Sequence, residues 1–274
     1  MNWAIWKKAV GDAWLQLLVC SLILVAFAWL FVWLMSQIEI GAWAVMVKAM
    51  PGLLRKFSDI SVAAMVTPAG RLTILFVHPI TLLVAVGWAV GRGSDSISGE
   101  IGRGTMDLIL SLPVRRFSVM LAPAVVAGIG AFVLAGSLLG GIALGLASFD
   151  MSGDVTAMEF LPGAINLGCM TFCFTGITTL ISSCGRNRWR TIVIAGGFYV
   201  VSFLVEVVRQ LWTPGAWLKY FTFLAAYSPR SLILEPEPTG LLALPYNLPL
   251  IVLGLAAYTV AAIVLTHRDI PAAR

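Results

Sequence analysis

Residues 94–118 read SDSISGEIGRGTMDLILSLPVRRFS and stand between two of the most apolar stretches of the chain. Asp95, Glu100, Arg103, Asp107, Arg115 and Arg116 fall inside this segment, in a protein of which only 11% is charged. Two membrane spans need only a few polar residues to join them, so a charged connection of this length asks for a reason. Ile97, Ile101, Leu108 and Leu112 recur at helical spacing, with Glu100, Arg103 and Asp107 on the other side. The pattern predicts an amphipathic helix, capped at its start by Asp95 or Ser96 and ended by Pro113. Surface ion pairs Glu100–Arg103 and Arg103–Asp107 contribute roughly 0.2–0.5 kcal/mol each, too little to explain the helix. A partner surface explains it better.

Working outward, 59% of the 274 residues are hydrophobic and the mean hydropathy is +0.94. Soluble domains carry roughly 25% charge to solvate their surfaces. This chain cannot cover a water-exposed globule, so the bilayer is its main solvent. The net charge of +5 would suit nucleic acid, but Lys and Arg also gather at the cytoplasmic ends of membrane spans. The second reading fits the composition, and no nucleic-acid partner is expected. Cys20, Cys169, Cys173 and Cys184 lie in or beside apolar runs without a C-x-x-C pair or a neighbouring His. Neither a structural metal nor a disulfide framework is expected.

Six runs are long and apolar enough to cross a membrane, near 15–36, 72–91, 118–148, 163–183, 191–208 and 248–266. They lack the short alternating pattern of a barrel strand. The fold class is therefore an all-α integral membrane protein, a single transmembrane domain over residues 1–274. The first run resembles a signal peptide only superficially. It is long enough to span, and no small-x-small cleavage site follows, so it is read as a retained anchor. Before it, Trp3, Trp6, Val10 and Trp14 share one helical face while Lys8 and Asp12 stand i,i+4 on another. This predicts an interfacial helix over 1–14, the alternative being an ordinary aromatic belt.

With the N-terminus inside, eleven Lys and Arg fall in the inner segments and seven in the longer outer ones. The loop CGRNRWR, 184–190, is the clearest vote; residues 149–162 carry acids but no basic residue. The four basic residues of the 37–71 region count against it. Both termini are predicted cytoplasmic. The first outer region reads as a surface helix broken near Pro51. The second, 209–247, is too apolar for a free loop and interrupted by prolines, which suggests short helices dipping into the outer leaflet.

The stretch GEIGRGTMDLILSLPVRRFSVML resembles the signature of type-2 ABC exporter permeases: an acid, Gly-Thr, an acid, leucines, then Pro followed by basic residues. The matching positions are Glu100, Gly104, Thr105, Asp107, Leu108, Leu110, Leu112, Pro113, Arg115 and Arg116. Ile101 and Gly102 depart from it, standing where such permeases usually carry charge. The entry helix, the six spans and the hydrophobic region before the last one are similar to that family too, as is WLKYFTFLAAYSPRSLI. The resemblance implies that 94–117 is a cytoplasmic coupling-helix region docking on a separate ABC ATPase. Glu100, Arg103, Gly104, Thr105, Asp107, Leu108, Leu112, Pro113 and Arg115 would make the coupling, Pro113 and Arg115 holding the bend into the third span. It also implies a second permease chain, with a homodimer as the simplest form, in the plasma (inner) membrane. ATP and Mg would bind the partner, and no cofactor is expected on this chain, which has no G-x-x-x-x-G-K-[ST] loop.

Other features admit two readings each. Thr171, Thr175 and Thr178 form a stripe that could line a polar pathway, or could hydrogen-bond within and between helices. Glu206 and Arg209 are spaced to pair and could help to gate an exit. His78 before Pro79 marks a kink, or a membrane-embedded titratable group. Three G-x-x-x-G patterns, at Gly87, Gly136 and Gly141, suggest tight helix packing. No hydrolase or metalloprotease motif occurs, so the chain is not expected to be an enzyme. The function expected is a permease moving substrate with a separate ATPase; the alternative is a noncatalytic membrane scaffold or assembly subunit.

Overall fold

The computed structural model describes residues 3–39, 41, 43, 45, 66–105, 116–151, 153–234 and 243–267. Six helices in it are long and apolar enough to cross a membrane. They are α1 (Trp3–Ser36), α2 (Pro68–Gly102), α3 (Arg116–Ser148), α4 (Leu161–Cys184), α5 (Arg188–Leu211) and α6 (Leu244–His267). No strand occurs among the described residues. Each helix contains one of the six apolar runs, because a run in lipid must satisfy its backbone internally and helix is the only open-chain way to do so.

The boundaries differ instructively. No break separates residues 3–14 from the first span, and α1 runs unbroken over 34 residues. At 1.5 Å per residue it is about 51 Å long, well beyond a hydrocarbon core of about 30 Å. The stretch read as an interfacial helix is thus the first part of the same rod. Nothing in WAIWKKAVGDAWLQ breaks a helix except the lone Gly11, which costs only about 1 kcal/mol. The expected Lys8–Asp12 pair is present at 3.7 Å.

α2 is interrupted on its way in. His78 takes an extended conformation (φ −66°, ψ 139°), as the residue before a proline must, and its Nδ1 accepts from the Ile80 amide at 3.3 Å. Its ring packs on Phe27 with centroids 4.7 Å apart. The kink at Pro79 is structural.

Burial sorts the spans by position. In α4, 72% of the apolar window is buried inside the single chain, against 22% in α1 and 17% in α5. α4 is therefore the central post, packed against α2, α3, α5 and α6. Its side chains explain that place: Gly163, Gly168, Gly176 and four buried threonines let neighbours approach closely. A Cβ on Gly176 would lie 2.7 Å from the Gly254 carbonyl oxygen of α6. The three G-x-x-x-G patterns separate in the same way. Gly141 and Gly145 form the α1–α3 seam, where a Cβ would meet Ala28 at 2.7 Å and Val32 at 2.6 Å. Gly136 and Gly140 face open space, and Gly91 meets only the Gln16 side chain.

Between α5 and α6 the chain forms short helices at Thr213–Tyr220, Phe223–Ala226 and Pro229–Leu234. Phe223, Leu224 and Ile233 join the main core. The expected surface helix near Pro51 lies outside the described residues.

Candidate functional site

The 94–105 segment folds otherwise than its pattern suggests. Asp95 and Ser96 do not cap a new helix; they continue α2 into a π-helical turn, Asp95–Gly99, followed by Glu100–Gly102. Asp95, Ser96, Ile97, Ser98, Gly99 and Glu100 are all buried. The reason is local and tertiary together. Ser94, Ser96 and Ser98 each turn a hydroxyl back onto a carbonyl of the preceding turn, at 3.2, 2.7 and 2.8 Å. Such back-bonding loosens a helical ladder. The widened turn hands the Ser98 amide to the Ser182 hydroxyl of α4 at 2.8 Å, while Thr191 of α5 donates to Ser98 Oγ at 3.0 Å.

Two carboxylates are thereby drawn under the surface, and each is fully compensated. Asp95 Oδ1 accepts from Arg103 at 2.7 Å and faces Arg188 at 3.4 Å; its Oδ2 faces Arg92 at 3.6 Å. Glu100 Oε1 accepts from Lys8 of α1 and from Arg103 at 2.7 Å, and its Oε2 from Thr105 at 2.6 Å. Arg92 also donates to the Asp12 carbonyl of α1 at 3.0 Å. A buried carboxylate without partners costs several kcal/mol, which is why four cations converge here. Burial alone would lower the Arg103 pKa; its bonds to Asp95 and Glu100 outweigh that and raise it. The network ties α1, α2 and α5 together at one end of the bundle.

The signature residues then acquire physical roles. Gly104 has φ +70°, the left-handed conformation that ends a helix and favours glycine, and its amide closes on the Ile101 carbonyl at 3.0 Å. That reversal is what lets Thr105 reach back to Glu100. Glu100, Arg103, Gly104 and Thr105 are thus brought together as an ion-paired helix stop. Asp107, Leu108, Leu112, Pro113 and Arg115 lie outside the described residues, which resume at residue 116.

The remaining candidates lie elsewhere. Thr171, Thr175 and Thr178 are buried, each donating to the carbonyl four residues back at 2.7–2.9 Å. Thr178 packs where a Cβ on Gly93 of α2 would sit 2.6 Å away. Glu206 stands at the far end of α5, where Arg209 donates to it at 2.6 and 3.0 Å and Gln210 at 2.9 Å. It lines a cavity of about 280 Å³ between α2, α5 and the short helices. Among the described residues no cluster of three or more His, Cys, Asp or Glu is placed to hold a metal ion.

Sequence reasoning missed Lys8, Arg92, Arg188 and Ser182 as parts of this site. Their partners are up to 94 residues away, and no periodicity reports such a contact. The run of alternating serines, SDSIS, was the one local sign of an irregular turn.

With this geometry in place, the comparison with known proteins decides the class. The family model of ABC-2 family transporter proteins matches residues 3–236. The chain belongs to that family. No curated protein gives a significant match. This ABC-2 protein is a multi-pass membrane protein and the permease component of an ABC transporter. The match extends from α1 through the short helices before α6, so it includes the ion network, the buried α4 and the far-end cavity.

Proposed function

We propose that this ABC-2 permease is the membrane subunit of an ATP-driven exporter, with ATP and Mg bound and hydrolysed on a separate ABC ATPase. It would work as a homodimer in the plasma membrane, with both termini and the ion network on the cytoplasmic side. The observation that carries this reading is the ending of α2. Glu100–Thr105 is an ion-paired stop, and the next residues in sequence include Asp107 and Arg115. A push on that segment would be delivered to α1, α2 and α5 together, because the network joins them. In this scheme Asp107, Leu108, Leu112, Pro113 and Arg115 meet the ATPase, and Glu100, Arg103, Gly104 and Thr105 position them.

The stripe Thr171, Thr175 and Thr178 would join a substrate route only when α4 separates from α2. Glu206 would sit near the outer mouth. The substrate suited to such a route is an amphiphile, since the walls are apolar with a few polar groups.

The test is purification from the native membrane with identification of whatever accompanies the chain. A stoichiometric ATPase, released by Asp107→Lys in a variant that keeps its thermal stability, supports the exporter. A clean, folded chain without any ATPase points to a scaffold instead. Direction is read separately, by following an amphiphilic dye across inside-out vesicles with and without ATP.

A further inference from the structure

The cavity at the far end holds a positive charge that no carboxylate among the described residues answers. Arg230, in the short helix Pro229–Leu234, lines it, and its Nε is buried without a hydrogen-bond partner. No carboxylate among the described residues pairs with Arg230. Glu206, the acid of the cavity, is already taken by Arg209 and Gln210. Tyr227 cannot supply the missing charge. Burial raises its pKa well above the ordinary phenol value, and its hydroxyl donates to the Phe76 carbonyl at 2.6 Å. Arg209, Arg230 and Glu206 give the described lining a net charge of +1. Burial also pulls the Arg230 pKa down, the sign of a cation held where solvation is poor. Arg230 is half-buried, its Nε shut away from water, and a cation so placed is offset best by an anion in the cavity.

The surroundings say what kind of anion. Ser228 and Ser231 share a single hydrogen bond at 2.7 Å, which leaves one hydroxyl donor free beside Arg230. Val77, Leu82, Phe203 and Leu224 supply an apolar part of the lining. Phe203 is 47% exposed and continues outward into Leu204 and Val208 on the lipid-facing side of α5. A cavity of about 280 Å³ takes a headgroup and the beginning of its chains, not a whole lipid.

We propose that this cavity is a binding site for the phosphate headgroup of an anionic phospholipid. Arg230 and the Ser228–Ser231 pair hold the phosphate while the acyl chains lie along Phe203, Leu204 and Val208. The site is at the end opposite the ion network, and it needs neither the ATPase nor export to exist.

The test uses the full chain purified with its accompanying subunits, delipidated in mild detergent. Native mass spectrometry and thermal unfolding are followed while phosphatidylglycerol, phosphatidylcholine or inorganic phosphate is added. The expected result is saturable binding and thermal stabilisation by phosphatidylglycerol, about tenfold tighter than phosphatidylcholine, with no effect of inorganic phosphate at the same concentration. Arg230→Gln should abolish the preference, Arg230→Lys should keep most of it, and Glu206→Gln should strengthen it by adding net positive charge. Equal binding of the two lipids by the unaltered chain overturns the proposal, and that arm does not depend on any variant folding. Binding of inorganic phosphate as tight as the lipid's would make it a free-anion site instead. Phosphatidylglycerol selectivity that survives Arg230→Gln would place the lipid elsewhere.

Discussion

The two ends of the helix bundle handle buried polar groups in opposite ways. At the basic end, seven charged groups from three parts of the chain are woven together: Lys8, Asp12, Arg92, Asp95, Glu100, Arg103 and Arg188. At the far end the chain is held chiefly by neutral hydrogen bonds. Asn166 of α4 donates to the Ala226 carbonyl at 3.1 Å and to Asn247 at 2.8 Å, and accepts from the Ser228 amide at 3.0 Å. Thr222 donates to the Ser202 carbonyl at 3.0 Å. Glu206 and Arg209 pair within α5, and among the described residues Arg71 and Arg230 keep buried nitrogens without hydrogen-bond partners. The difference teaches that a family signature need not be a surface. Glu100, Gly104 and Thr105 of this one are consumed in ending α2 and pairing it within the bundle.

The comparison breaks most visibly at Glu100. Removing its carboxylate by Glu100→Ala leaves Lys8, Arg103 and Thr105 without their common acceptor. Loss of a buried ion-pair partner costs about 3–5 kcal/mol. Because Lys8 and Arg103 are about 44% and 43% exposed, the low end is expected, read as a large drop in the thermal midpoint. At the other end, Asn166→Ala deprives three groups of their partner and should cost about 2 kcal/mol. It should loosen 222–234 toward proteolysis while leaving the basic end closed; cleavage appearing first near residue 103 would contradict that independence.

Gly104→Ala tests the helix stop. A left-handed alanine costs about 1–2 kcal/mol, and the strain falls on the approach to residue 106. ATPase binding should weaken more than stability does; an unchanged complex would mean that the stop does not position the partner segment. Lys8→Ala should have the smallest effect, about 0.5 kcal/mol, since a half-exposed amine is largely resolvated. That small contribution should vanish near 1 M salt, whereas the deficit of Asn166→Ala should not change with salt.

Much of this was legible beforehand. Apolar runs of the right length mark all six spans, and His78-Pro79 and the Glu206–Arg209 spacing announced their kink and ion pair. In the stretch 209–247, whose composition reads as too apolar for a free loop, the short helices over 213–234 contribute Phe223, Leu224 and Ile233 to the core. The helix boundary at Asp95 was misjudged because a serine-rich turn after an apolar run looks the same whether it caps a helix or widens one. What decides is whether a hydroxyl such as Ser182 waits to receive the freed amide.

By itself, then, the sequence determined that this chain lives in a bilayer, that it crosses as helices, and which stretch each span contains. Length, hydropathy and the obligation of a backbone in lipid to bond to itself are properties of contiguous residues. Only the tertiary structure decided which helix is central, which glycines are seams, and that Glu100 faces Lys8 rather than water. Those are contacts between residues far apart in the chain. They depend on close packing and on the cost of leaving a buried charge unanswered, and neither is written in local spacing.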